Sequence, residues 1–263
     1  MERKFGIELE CLKNSDLSSE TVLTIIKEAG FDSVFSNEFD MAKVTEIKEK
    51  ANALGIDVEF LHAPFRGVND FWCAGLDYLP LKKNIIASID SAAANAIPVV
   101  VMHVDSGWNP PKICDTGLNR FDELVEYADK KGIKLAFENI RNFGTLSAMM
   151  QRYRDVGCVG YCYDCGHEHC YTKTVRFTDL FGDKILCTHI HDNVGKDGRP
   201  DPDDHLMMFD GNIDYADMMA RLRAVEYTGT LTVEIEKNER YDHMSEKEYV
   251  KTAYERIVKI SKL

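Results

Sequence analysis

Eight short apolar runs, each followed by residues of helical periodicity, constrain this chain more than any other feature. They read 4-KFGIELE-10, 31-FDSVFSN-37, 56-IDVEFLHAPF-65, 98-PVVVMHVDSG-107, 133-IKLAFENI-140, 159-VGYCYD-164, the run opening at Ile185, and 229-GTLTVEIEKN-238. Runs of this length are buried parallel strands when helices separate them. Ser18 or Ser19 caps a helix through Ile26 that stops at Gly30, and a second runs from Met41 to Leu54, before Gly55. A long helical segment precedes the fourth strand, and others span Phe121 to Lys131 and Leu146 to Val156. Ser245 and Glu248 form a capping box for a last helix, with Val250, Tyr254, Ile257 and Val258 on one face. Strict alternation of this kind predicts an α/β fold, a single (β/α)8 TIM barrel over residues 1–263. The competing open doubly wound sheet lacks its glycine-rich turn after the first strand.

With 263 residues and 44% hydrophobic content, the chain can bury one large core. Its net charge of −12 argues against general affinity for nucleic acid or anionic membranes, which bind basic surfaces. Neither a signal-peptide stretch after Met1 nor a run of about 18 apolar residues is found, so the expectation is a cytoplasmic protein with no membrane span. Eight cysteines in such a chain are expected to be reduced. Cys162-x-x-Cys165 has zinc-motif spacing, but it lacks the second pair of a zinc ribbon.

The polar residues at the strand ends carry the chemistry. Glu138, Asp164, His189 and Glu234 stand at or just past the fifth to eighth runs. In a barrel these ends converge on one mouth, and a carboxylate placed there is costly unless it is paired or binds a cation. Two Glu, one Asp and one His suit Mn2+, Mg2+, Co2+ or Zn2+. His62, His103 and His167 point to the same mouth, and Asp203 and His205 lie on the acidic loop after His191 and Asp192. Nine such residues have the capacity for more than one ion.

At these positions the sequence resembles the xylose isomerase-like barrel superfamily, in its sugar phosphate isomerase and epimerase branch, related to endonuclease IV. The resemblance spans nearly the whole chain through 61-LHAPF-65, 102-MHVDSG-107, 137-FENIRN-142, 163-YDCGH-167, 188-THIHDN-193, 203-DDHLMMFDGNID-214 and 233-VEIEKN-238. It implies one divalent ion (Mn2+, Zn2+, Co2+ or Mg2+) on Glu138, Asp164, His189 and Glu234. His189 rather than His191 takes the first place of the family's H-x-x-[D/E] pattern. The two glutamates would exchange the substrate proton. The endonuclease pattern implies instead three zinc ions, with His62, His103, His167, Asp203 and His205 as further ligands. Here 206-LMMFDG-211 departs from that pattern's small, glycine-rich continuation.

The resemblance thus implies a metal-dependent isomerase or epimerase of a sugar or sugar phosphate, acting by proton transfer through a metal-bound enediolate. His62, His103 and His167 would hold substrate hydroxyls, Arg141 or Lys196 a phosphate, and Trp72, Phe65 and Trp108 the apolar face of the sugar. Three alternatives stay open: an abasic-site phosphodiesterase with three zinc ions, an inositol-type dehydratase, and a sugar- or metal-binding barrel without turnover. The oligomeric state is not legible in the sequence.

Overall fold

The computed structural model describes residues 3–172, 174–196 and 198–263. Eight parallel strands form the barrel: β1 (Phe5–Glu8), β2 (Ser33–Ser36), β3 (Asp57–His62), β4 (Val99–Met102), β5 (Lys134–Glu138), β6 (Val159–Asp164), β7 (Ile185–His189) and β8 (Leu231–Val233). Helices α1 (Ser19–Ala29), α2 (Met41–Ala53), α3 (Leu79–Ala94), α4 (Asp115–Lys131) and α5 (Phe143–Arg152) follow β1 to β5 in turn. Two short helices, α6 (Cys165–Tyr171) and α7 (Phe177–Phe181), follow β6, α8 (Tyr215–Ala224) follows β7, and α9 (Glu246–Ser261) ends the chain.

Ladders run in the order β7-β6-β5-β4-β3-β2-β1-β8. The remaining seam closes through one parallel bridge, Ile190 to Val233, with Ile190 N donating to Thr232 O at 2.8 Å. The (β/α)8 barrel expected from the alternation is therefore the fold observed.

Strand ends are shorter than the apolar runs suggest. β1 stops at Glu8 because Leu9–Leu12 turns into a 3-10 segment, and β8 is only Leu231–Val233. Two helices also start earlier than their apolar periodicity shows, α4 at Asp115 and α5 at Phe143. Two terminators match expectation. Ser18 caps α1 by accepting from Thr21 N, and Gly30 closes it at φ 113°, a left-handed conformation that glycine adopts without a Cβ clash. The Ser245–Glu248 capping box of α9 is present.

The period-two geometry of strands positions the site. Ala136, Cys162 and Cys187 pack with Phe35, Phe60, Val99 and Val101 into an apolar plug inside the barrel. Counting two residues on from Ala136, Cys162 and Cys187 gives Glu138, Asp164 and His189, one layer higher on the same face. A much larger apolar cluster lies between strands and helices and includes Val250 and Ile257 of α9. All eight cysteines are free, and Cys162 is one of the plug residues, fully buried. Among the described residues no helix is long and apolar enough to cross a membrane.

Candidate metal centre

The C-terminal strand ends enclose a pocket of about 640 Å3 lined by His62, His103, Glu138, His167, Asp203, His205 and Glu234, among others. Directly beneath it, one ligand-capable atom from each of Glu138, Asp164, His189 and Glu234 lies within 4.8 Å of the others. Asp164 and His189 are fully buried, Glu138 is 1% exposed and Glu234 9%.

Glu138 is the hub. Its Oε2 meets His62 Nε2 at 3.1 Å and His103 Nε2 at 2.9 Å, while Oε1 meets His189 Nδ1 at 2.9 Å. Burial pushes its carboxyl up, but the surrounding imidazoles, His189 and His103 foremost, outweigh this and hold it well below the usual carboxylate range. Glu234 is the converse case. Burial and the charges of Glu138 and Asp164 raise its carboxyl well above the ordinary value, against the opposing pull of His205. Its Oε2 is buried with no hydrogen-bond partner. His189 Nδ1 stands 3.3 Å from that oxygen, and a buried carboxylate without a hydrogen bond on it, beside two more carboxylates and an imidazole, is the arrangement a cation relieves. The residues therefore fit a divalent ion, in an oxygen-rich donor set.

A second convergence adjoins the first. Atoms of His167, His191, Asp203 and His205 also lie within 4.8 Å of one another, as do those of His62, His103 and Glu138. His167 Nε2 meets Asp203 Oδ2 at 3.0 Å, and His205 Nε2 meets the same oxygen at 3.1 Å. Burial alone would lower both imidazoles, yet Asp164 and Asp203 raise His167, and Asp203 and Glu234 raise His205, well above the ordinary histidine value. His205 sits at φ 43°, a strained conformation for a residue with a Cβ, so its placement is held by the surrounding structure.

All nine strand-end and loop residues named from the sequence thus meet at one mouth. The aromatic and cationic candidates divide. Phe65 lines the pocket and stacks on His103 with centroids 4.2 Å apart, and Arg141 lines it too. Trp108 and Lys196 sit on the rim outside the pocket wall, with Lys196 Nζ 5.5 Å from the Trp108 ring centroid. Trp72 corrects the expectation of a substrate-covering ring. It is 4% exposed and donates through Nε1 to Val104 O at 2.8 Å. It packs so tightly on α4 that a Cβ at Gly117 would come within 2.1 Å of its ring.

Three residues take on roles that the sequence did not assign them. His191 contacts both Asp164 oxygens, at 3.1 and 3.2 Å. The H-x-H spacing was the signal, since period two puts both histidines on one face. Asn139 donates to Asp164 O at 2.8 Å and accepts from Asp164 N at 2.9 Å, tying β5 to β6 at the level of the site. Asp192 accepts from Phe209 N and Ile213 N, which holds the loop after the site. A polar residue that serves backbone groups of a distant loop leaves no local mark in a sequence.

A family model described as xylose isomerase-like TIM barrel matches residues 23–259. The chain belongs to that family. The uncharacterized protein y4fM of Sinorhizobium fredii (strain NBRC 101917 / NGR234) is 31% identical to this chain over 179 residues. That match covers 63% of this chain and 55% of y4fM, so the chain spans about half of that relative's length. A D-tagatose 3-epimerase-like protein superposes with a TM-score of 0.72 at 23% identity, covering 98% of both chains. The IolI protein, crystallised with a zinc atom, superposes at 0.79 with 16% identity, again over 98% of each. At these identities the structural matches establish the shared barrel.

Proposed function

We propose that this barrel, taken as one domain over residues 1–263, is a divalent-metal-dependent isomerase or epimerase of a sugar or sugar derivative. One observation carries the reading: Glu138, Asp164, His189 and Glu234 converge within 4.8 Å beneath a pocket large enough for a hexose. The epimerase-like character of one structural neighbour and the zinc of another support it. Glu138, Asp164, His189 and Glu234 would hold the ion, which supplies Lewis-acid polarisation of adjacent substrate oxygens, worth several kcal/mol.

The chain's own residues supply the rest. Glu138 and Glu234, at the ends of β5 and β8, would pass the substrate proton, one removing it from carbon and the other returning it. His62 and His103 reach Glu138 through Nε2 and border the pocket, so they orient that carboxylate and meet substrate hydroxyls. Phe65, exposed and stacked on His103, offers an apolar face to a sugar ring.

The test is incubation of metal-loaded protein with a panel of ketoses and ketose phosphates in D2O, read by mass spectrometry. Deuterium incorporation at a carbon next to the carbonyl is expected. No incorporation with any sugar and any of Mn2+, Co2+, Mg2+ and Zn2+ would end the isomerase reading.

The second histidine and aspartate cluster favours one rival, a phosphodiesterase of abasic DNA using three zinc ions. Metal content separates the two: one ion per chain supports the isomerase, and three with nicking of abasic DNA support the rival. The net charge of −12 weighs against a duplex-binding surface.

A further inference from the structure

The ligand-type clusters at the mouth draw on β3 to β8 and the loops that follow them, and none uses β1 or β2. Yet β1 also ends on a carboxylate, Glu8. Parallel register sets Glu8 opposite Phe35, a residue of the apolar plug. Neighbours in register share a face, so Glu8 points into the barrel. The ladder between β1 and β8 pairs Ile7 with Val233, and one step further along both strands brings Glu8 level with Glu234.

Nothing in the fold asks for a carboxylate there. Glu8 is half-buried and makes no ion pair among the described residues. Burial raises its carboxyl, against the pull of His205 and Asn37, so holding it in place costs stability. Its side chain has one hydrogen bond: Asn37 Nδ2 donates to Oε1 at 2.7 Å, and among the described residues Oε2 has no partner. Asn37 is exposed and lines the pocket together with Glu234. Its backbone N donates to Glu10 Oε2 at 3.3 Å, which fixes its place. The second Nδ2 hydrogen makes no hydrogen bond among the described residues. A carboxyl oxygen and an amide N–H side by side match one hydroxyl group, which both donates and accepts.

We propose that Glu8 and Asn37 form a specificity subsite in which one hydroxyl of the substrate's polyol chain is held between Glu8 Oε2 and Asn37 Nδ2. It rests on the proposed sugar substrate and names one contact that selects it. An analogue lacking that hydroxyl is rejected because the polar pair is left unsatisfied.

Calorimetry on the full chain at saturating Mn2+ tests this with glucitol, mannitol and galactitol, and with the monodeoxy forms of whichever binds tightest. For one monodeoxy form the parent protein should lose ~10–100-fold in affinity, the range for a hydrogen bond to a charged group. Glu8→Ala should lose as much on the intact hexitol and nothing further on that deoxy form. A merely structural role for Glu8 would weaken every probe alike and leave the cost of the missing hydroxyl unchanged. Should Glu8→Ala fail to fold, Asn37→Ala, at an exposed position, should erase the same difference and decides alone. Hexitol binding in which no monodeoxy form is weakened, or a deoxy penalty that survives the substitution, overturns the proposal and leaves the sugar reading standing. Binding of no hexitol by the parent overturns both. Deuterium exchange is scored separately: a protein that shows the subsite but exchanges no C–H proton refutes only the isomerase reading.

Discussion

The imidazole of His191 lies flat against that of His205, with centroids 4.1 Å apart and planes within 5°. One ring comes from just past a barrel strand and the other from the acidic loop, and the stack sits beside an antiparallel bridge in which Asp192 and Leu206 exchange backbone hydrogen bonds at 2.8 Å. His191 also reaches Asp164 through Nε2, at 3.1 Å. It therefore supports both ligand-type clusters at once.

His191→Ala should accordingly weaken metal binding by ~10–100-fold, the range for residues that orient metal ligands. Metal titration of the apoprotein followed by elemental analysis checks this. Unaltered affinity would make the stack a packing contact only.

Replacing Glu138 or Glu234 with Gln keeps the shape and one acceptor oxygen but removes the carboxylate. At saturating metal each variant should lose turnover by ~10²–10⁴-fold and stop exchanging substrate protons with deuterium. His205→Ala should retain exchange under the one-metal reading. If it abolishes exchange as fully as Glu138→Gln, the second cluster is part of the reaction.

Gly166, in the first turn of α6, stands where no side chain fits. A Cβ would stand 2.0 Å from Cε1 of His191. Gly166→Ala should therefore destabilise the fold by about 1–3 kcal/mol, the usual result of overpacking, and displace His191. Chemical denaturation measures the first effect. Loss of metal affinity matching that of His191→Ala would report the second.

Asp105, just past β4, is fully buried, and only the Thr145 hydroxyl comes near enough to its carboxylate to ease that burial. Burial pushes its carboxyl up from 3.8 to about 6. The folded state thus holds the proton more tightly than the unfolded chain. Its contribution to stability is full below the unfolded value and is lost as pH rises through about 6. Asp105→Asn removes that loss. Relative to the parent, the variant should gain roughly 2–3 kcal/mol between acid and neutral pH, at about 1.4 kcal/mol for each pH unit separating the folded from the unfolded carboxyl. Urea melts at several pH values would show the gap widening, and a gap independent of pH would contradict the assignment.

Much of this architecture was legible in the chain itself. Apolar runs of strand length separated by amphipathic helices specify a barrel, because each strand must be covered on both faces and a helix supplies one of the covers. The same logic located Glu138, Asp164, His189 and Glu234, since a charged residue ending an apolar run has nowhere to go but the mouth. Local capping was equally readable, as the Ser18, Gly30 and Ser245 termini show.

Tertiary structure decided the rest, because it depends on which distant groups meet. Trp72 looked like an exposed loop aromatic and is buried by contact with Gly117 of α4. His191 looked redundant beside His189, yet register across β6 and β7 aims it at Asp164. Glu138 and Glu234 are the same residue type at equivalent strand ends. Four imidazoles around the first and two carboxylates beside the second push their proton affinities in opposite directions. A sequence specifies residue types and local geometry, but a carboxyl group's proton affinity is set by the field of its neighbours, and only folding chooses those.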